Sequence, residues 1–522
     1  MPIRRRSWLI VTAIVGALTA AAAINFASRI PFSSDALRSR VVATLADRLD
    51  AEVELQDLTL RIYPRLHATG RGLTIRFEQR HDVPPLVSID RFTVDADLIG
   101  LWRRRVAKVA LDGLAINIPP DDDEDETPRV GGTPATSPDS ASGYARDVII
   151  EELDAPDAQL TILRRDPAKP PRIWYMHRLK MRRVGLLSRM PFETLLTNAV
   201  PPGQINASGT FGPWMRADPG TTPLAGQFTF ENADLSVFKG ISGILSARGT
   251  FDGSLDRIAI SGQTDTPDFM INLSGHQLPL RTTYRAVVDG TNGNTTLDPV
   301  DATILDTRIV ARGGVFEVEG QKGRVVKLDV AIDQGRLEDI MRMAVKTPRP
   351  TMSGGLTLTT ALTIPPGPQD VAEKLGLDGR FEIARGSFTD RGVQAKVNEL
   401  SRRASGRKAT EGENVTRVTS NFAGRFTLAN GRLSLSPLTF DVPGAVVAIR
   451  GAYSLKRETL AFSGDLHMDA KLSQTTTGFK SLLLKVADPL FRRQGKTVVP
   501  LTISGTRNDP KFGLDVKRVF QR

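Results

Sequence analysis

Along most of this chain apolar and polar residues alternate with a period of two, the side-chain geometry of a β-strand that buries one face. Val53, Leu55, Leu58, Leu60 and Ile62 follow it with one slip, and Phe92 and Val94 resume it. The longest stretch, residues 424–468, carries it through Val447, Ile449, Tyr453, Leu455, Leu460, Phe462, Leu466 and Met468. Forty-five glycines and 33 prolines, scattered over 522 residues, supply the turns that many short strands need. A chain of this length exceeds one ordinary core, so two or more domains or one elongated domain are expected. The expected class is mainly β, rich in antiparallel pairing, with a few capping helices.

A recurring motif supports this reading. Gly226-Gln-Phe228-Thr-Phe230 is followed by Asn232 and Leu235, and Gly379-Arg-Phe381-Glu-Ile383 by Gly386 and Phe388. Gly424-Arg-Phe426-Thr-Leu428 is followed by Asn430, Gly431 and Leu433. Each reads as a strand, a tight turn and the start of a return strand. Asn430-Gly431 is the strongest of the three, because a two-residue type I′ turn needs positive φ at both positions. Helical spacing is confined to a few places. Ser34 caps a helix bearing Leu37, Val41, Val42, Leu45 and Leu49; Leu337, Ile340, Met341 and Ala344 form a second apolar face; Val393, Val397 and Leu400 form a third. Leu482, Leu483, Val486, Leu490 and Phe491 make residues 479–491 amphipathic, edged by Lys480, Lys485, Arg492 and Arg493. Such a helix either packs on the end of a sheet or lies at a membrane interface.

The amino terminus sets the expected location. Trp8, Leu9, Ile10, Val11, Ile14, Val15, Leu18, Ile24 and Phe26 belong to an uncharged run from Trp8 to Ala27. At ~1.5 Å per residue that run reaches about 30 Å, enough to cross a bilayer core. Arg4, Arg5 and Arg6 precede it, which keeps residues 1–7 cytoplasmic and exports the rest. Ala21 and Ala23 leave open cleavage as a signal peptide. The expected layout is then an anchor at 8–27, an N-terminal helix and strands at 28–118, an acidic linker at 119–143, and a β-sheet body at 144–522. The linker is acidic and rich in Pro, Gly and Ser, and buries too little apolar surface to offset its ordering entropy. Its carboxylates, Asp121 to Glu126, lack the Gly and ligand spacing of a calcium loop.

Charge and motifs narrow the chemistry. The net charge is +11, but the basic residues alternate with apolar ones, as in Leu58-Thr-Leu60-Arg-Ile62-Tyr, and form no stripe for nucleic acid. Attraction to anionic headgroups is the better use of that charge. Cysteine is absent, which removes disulfides and thiolate metal sites. His67, His81, His177, His276 and His467 show no metal-ligand spacing, and no GxSxG elbow occurs. Gly495-Lys496-Thr497 imitates the end of a phosphate loop, but Leu490 occupies its required Gly and the segment runs into Val498, Val499, Leu501 and Ile503, a strand. Asp265 and Asp268, or Asp252 and Asp256, keep a glycan-active enzyme open in principle. No catalytic residue, metal or cofactor is assigned.

Several segments, taken in order, resemble the AsmA family of bacterial envelope proteins. They are the anchor and the helix at 34–50, then Val53-Glu-Leu55-Gln-Asp-Leu58-Thr-Leu60-Arg-Ile62-Tyr-Pro64. Leu98-Ile-Gly100-Leu101-Trp102 with Val109-Ala-Leu111-Asp-Gly113 resembles the family's layer of strand, short loop and strand. Pro500-Leu501-Thr-Ile503-Ser-Gly505-Thr506 with Asp509-Pro510-Lys511-Phe512 resembles its closing signature. That family is similar to the chorein-type bridge-like lipid-transfer proteins. The resemblance implies a non-enzymatic inner-membrane protein with a periplasmic body, a sheet curved lengthwise into a gutter, and phospholipid in its apolar inner face. About 25–30 strands at ~4.8 Å would extend such a gutter roughly 120–145 Å. The expected lining is Phe228, Phe230, Phe381, Ile383, Phe426, Leu428, Leu433, Leu435, Phe440, Val447, Ile449, Tyr453, Phe462 and Leu466, residues that would equally serve as sandwich core. Lipid transport for outer-membrane homeostasis is the leading expectation; an assembly factor for outer-membrane proteins and an exported glycan-active enzyme are the alternatives.

Overall fold

The computed structural model describes residues 34–49, 51–61, 65–76, 83–118, 148–163, 171–185, 187–215, 218–318, 323–405, 418–470, 492–493, 496–506 and 509–515. The anchor at 8–27, the acidic stretch at 119–143 and the amphipathic stretch at 479–491 lie outside the described residues. Among the described residues no helix is long and apolar enough to cross a membrane. Among the described residues the fold is mainly β, one large mixed sheet of 26 strands with few helices, as the alternation requires.

Helix α1 (Ser34–Leu49) is the first element among the described residues and runs back along β1 (Glu52–Arg61). Its Val41 and Leu45 are buried against the sheet, with Leu37 and Val42 beside them. β1 pairs with β2 (Leu66–Arg76), and β2 with β3 (Val87–Ala96), both antiparallel. The slip in alternation after Leu55 has a local cause. Leu55 faces Leu73, but Leu58 faces Gly70, so one residue on each strand falls out of step; Gly72, at φ +64°, sits against Gln56 there. Helix α2 (Leu98–Trp102) stands where a short loop was expected and leads into β4 (Arg105–Asp112). β4 and β5 (Ala115–Ile118) both pair in parallel with β6 (Ile149–Ile162). A parallel step needs a long connection, and the acidic stretch occupies that place in the sequence.

Antiparallel pairing then continues through β7 (Arg172–Val184), β8 (Met190–Ala199), β9 (Pro202–Phe211) and β10 (Pro223–Asp234). Next in the chain come β11 (Ile241–Ser242), β12 (Ile244–Ser254), β13 (Arg257–Ile271) and β14 (Leu278–Val288). Two compact units result. The first comprises residues 1–234, 245–262 and 287–293, and the second 235–244, 263–286 and 294–522. The core of the first is a sealed cluster from α1 and β1–β8, in which Leu58, Leu66, Ile75, Val87, Val94 and Ile150 are all but inaccessible.

The second unit contains β15 (Thr295–Ile304), β16 (Thr307–Glu317), β17 (Arg324–Arg336), helix α3 (Leu337–Ala344) and β18 (Met352–Ile364). The short helix α4 (Val371–Lys374), β19 (Gly376–Phe388), helix α5 (Arg391–Ala404) and β20 (Ser420–Ala429) follow. The last strands are β21 (Arg432–Val442), β22 (Ala445–Ser454), β23 (Thr459–Met468), β24 (Arg492–Arg493), β25 (Lys496–Thr506) and β26 (Pro510–Leu514). From β15 to β23 every strand pairs antiparallel with its neighbour in sequence. α3 and α5 fall where helical spacing placed them. The Asp390 carboxylate caps α5 by accepting from the Val393 N–H at 2.8 Å. Lys496-Thr497 opens strand β25, not a helix.

One of the three recurring motifs is the tight hairpin expected. Asn430 (φ 51°) and Gly431 (φ 68°) join β20 to β21, with Ala429 facing Arg432. The other two need correction. β10 runs on through Asn232 to Asp234, and β19 runs on through Gly386 to Phe388. Their positive-φ residues, Asn232 and Arg385, kink a continuing strand; at Arg385 the register shifts between Ile383 and Gly386. A single left-handed residue makes a bulge, whereas a two-residue turn needs a pair.

Candidate functional site

In an antiparallel pair, residues directly opposite each other put their side chains on the same face. In the second unit this builds four apolar rows from β18 to β25. The first runs Leu362, Leu377, Leu428, Leu433, Tyr453, Leu460 and Gly505; the second Thr360, Gly379, Phe426, Leu435, Gly451, Phe462 and Ile503. The third runs Leu358, Phe381, Gly424, Leu438, Ile449, Gly464 and Leu501, and the fourth Leu356, Ile383, Phe422, Phe440, Val447, Leu466 and Val499. The extra residue on β21 between Leu435 and Leu438 keeps its apolar residues in phase where simple alternation would lose them, and β19 has a second irregularity between Ile383 and Gly386. Twelve of the fourteen residues expected to line a groove therefore share one face. The remaining two, Phe228 and Phe230, lie on β10 of the first unit, facing Ala207 and Ile205.

The face is covered unevenly. Ile383, Phe426 and Leu428 are buried. Phe381, Leu433, Leu435, Phe440, Val447, Ile449, Tyr453, Phe462 and Leu466 are only half-buried, as are Phe228 and Phe230. Helix α3 packs Leu337 and Ile340 against Leu356, Leu358, Phe381, Ile383 and Phe422, on the third and fourth rows. Helix α5 places Val397 and Ala404 against Val442, Ala445 and Met468, with Phe440, Leu466 and Val499 beside them. In the first and second rows Leu428, Phe426 and Thr360 are buried, while Leu433, Leu435, Tyr453, Leu460 and Phe462 on β21–β23 stay half-buried. Aromatic rings gather toward the covered edge: Phe422 lies 4.7 Å from Phe440 and 6.2 Å from Phe388, and Phe381 lies 6.1 Å from Phe426.

The opposite face is wet. Arg380 donates to the Thr359 hydroxyl at 3.2 Å, Arg312 pairs with Asp298 at 3.0 Å, and Arg281 with Asp265 at 3.4 Å. At the start of α3, Glu338 receives the Arg336 guanidinium at 3.0 Å and the Gly354 N–H at 3.3 Å. Burial alone would push that carboxyl up; its own backbone N–H, Arg336 and Gly354 outweigh burial and hold it below the usual carboxylate range. Next to it the buried Asp339 accepts from the Thr307 hydroxyl at 2.9 Å and the Asp306 N–H at 3.2 Å. Both carboxylates tie α3 to the sheet.

The acidic residues that kept a hydrolase open are differently placed. Asp265 pairs with Arg281, Asp268 accepts from the Ile244 N–H at 2.8 Å, Asp256 accepts from the Ser254 hydroxyl, and Asp252 is exposed. His67 bonds Asp95 at 2.6 Å, His177 bonds Thr197 at 2.8 Å, and His276 bonds the Thr347 carbonyl at 3.0 Å. Among the described residues no group of three His, Asp or Glu stands close enough to hold a metal ion. A shallow pocket of about 370 Å³ lies between His276, Leu278, Arg342 and Pro348, and none of these residues belongs to the four rows.

Nothing matches. Comparison with protein-family models, with curated proteins and with solved structures gives no counterpart to this chain.

Proposed function

We propose that this chain is an AsmA-like envelope protein, held in the bacterial inner membrane by residues 8–27, with a periplasmic body that binds phospholipid along its apolar sheet face. Within the second unit the sheet is curved into a gutter lined by the four rows, and Phe228 and Phe230 are the candidate lipid contacts of the first unit. It has no enzymatic activity, needs no cofactor, and supports lipid transport and outer-membrane homeostasis.

One observation carries the reading: Leu433, Leu435, Ile449, Tyr453 and Phe462, on three strands in register, share a face and remain half-buried. An apolar sheet face is ordinarily covered by helices or a second sheet, as the first unit's core is sealed. Acyl chains answer the same need, each methylene contributing ~0.8 kcal/mol on leaving water. A continuous track of similar rows lets a tail move without crossing water, which is the slow step of lipid exchange. The polar opposite face keeps the body soluble, and the order of segments resembling the AsmA family agrees with this use.

The test is direct. Purified full-length protein, extracted with organic solvent, is expected to yield stoichiometric glycerophospholipid. Leu435→Glu sets a carboxylate in the second row at a half-exposed site and is expected to abolish that lipid while the circular dichroism spectrum stays β-rich. Arg425→Glu, on the opposite face, should change neither. Well-folded wild-type protein without lipid would overturn the proposal, and a partner complex lost in Leu435→Glu with lipid content unchanged would favour the assembly-factor reading.

A further inference from the structure

At one end of the first unit's strands, four large apolar side chains stand in water: Trp102 is 85% exposed, Leu187 78%, Ile99 67% and Met215 44%. Register brings them to that end from separate parts of the chain. Asp95 faces Lys108, so α2, carrying Ile99 and Trp102, closes the β3–β4 end. Arg105 faces Ile149 and Ile150 faces Val184, which sets the β7–β8 turn with Leu187 at the same end. Met190 faces Phe211, and Met215 follows just beyond.

Arginines surround these tips. Arg103, Arg104 and Arg105 follow Trp102 directly, while the exposed Arg182, Arg183 and Arg189 flank Leu187. The acids at this end are partly engaged: Glu151 pairs with Arg105 at 3.1 Å, Glu152 with Lys108 at 2.9 Å, and Asp97 accepts from the Gly100 N–H. A second exposed apolar group, Val237, Phe238 and Leu273 in the second unit, has a different surrounding; Lys239 beside it donates to the Pro368 carbonyl at 3.0 Å.

From this juxtaposition we infer that the α2 and β7–β8 end of the first unit docks on an anionic phospholipid surface, with Trp102, Ile99 and Leu187 entering the headgroup layer and the arginines meeting phosphates. Tryptophan beside arginine suits that layer because the ring is amphipathic and the guanidinium binds phosphate bidentately. The chain path agrees. Arg38 of α1 donates to the Gln56 carbonyl at 2.9 Å, so the start of α1 points toward the β1 end at Arg61, which faces His67 as Leu66 faces Ala96. The inference extends the proposed function by saying which strand end meets the bilayer.

The absence of cysteine allows single labels. Full-length Trp102→Cys, Leu187→Cys and, as a control at the opposite strand end, Val200→Cys, each carrying an environment-sensitive nitrobenzoxadiazole, are reconstituted in two vesicle types. One is a phosphatidylglycerol–phosphatidylcholine mixture and the other phosphatidylcholine alone. Labels at 102 and 187 are expected to shift to the blue and to be quenched by doxyl-lipid in the anionic vesicles only, with the label at 200 remaining in water. Arg103→Gln and Arg189→Gln should each lower the docked-to-free ratio about fivefold, as ~1 kcal/mol per charge near the surface implies. Labels at 102 and 187 as wet as the one at 200, or a response identical in neutral vesicles and in the arginine variants, would overturn the inference. Extracted lipid, measured on the same preparations, separates that failure from failure of the groove.

Discussion

The ring of Phe381 lies over Gly424, the residue directly opposite it on β20; a Cβ built on Gly424 would stand 3.2 Å from the ring. The pairing recurs where Phe462 covers Gly451 and where Phe92 covers Gly70. A glycine in a strand leaves a gap, and the neighbouring aromatic fills it while screening the ladder hydrogen bonds. Gly424→Val has no such space, with the Pro437 carbonyl also 2.9 Å away. Overpacking of this kind should cost about 1–3 kcal/mol, read as a fall in the urea midpoint with an unchanged slope.

The β20–β21 turn offers a cleaner backbone test. Gly431 has φ 68° and nothing within 4 Å of an added Cβ, so a substitution there reports conformational cost without a clash. Gly431→Ala is expected to destabilise by roughly 1 kcal/mol, the left-handed penalty of an L-residue. Gly431→Asn should recover part of that loss, because Asn tolerates the left-handed region. Thermal melts of the two variants side by side check it.

The seat of helix α3 should depend on pH through Glu338. Its folded pKa is depressed, so the stability it supplies is fully present above the ordinary glutamate value of ~4.3 and is lost as pH falls through the folded value. Glu338→Gln should remove that acid-side dependence and cost about 1–2 kcal/mol at neutral pH, since it loses hydrogen bonds to a charged group. Urea midpoints of both proteins between neutral and acidic pH decide the matter; parallel curves would place the acid sensitivity elsewhere.

Much of this was legible in the alternation. Leu433, Tyr453 and Phe462 can be assigned to one face from period two alone, and the structure joins their strands, β21, β22 and β23, in antiparallel register. What alternation does not reveal is coverage. Phe426 and Leu435 face each other, yet the first is buried and the second half-buried, because that depends on what lies across from them in space. Bulges were hidden for a related reason: Arg385 carries no side-chain cue for a left-handed backbone, whereas Asn-Gly does. The exposed tips escaped as well. Leu98 to Trp102 reads as a layer connection, and only the exposure of Trp102 marks it; the three arginines that follow were the available signal.

From β15 to β23 each strand bonds to the one made just before it. Such a unit can zip up from one side as the chain is delivered, paying loop-closure entropy one hairpin at a time and never waiting for a distant partner. The same rule makes length an evolvable quantity: duplicating a hairpin in the middle would add two strands to the sheet and leave every other pairing as it was.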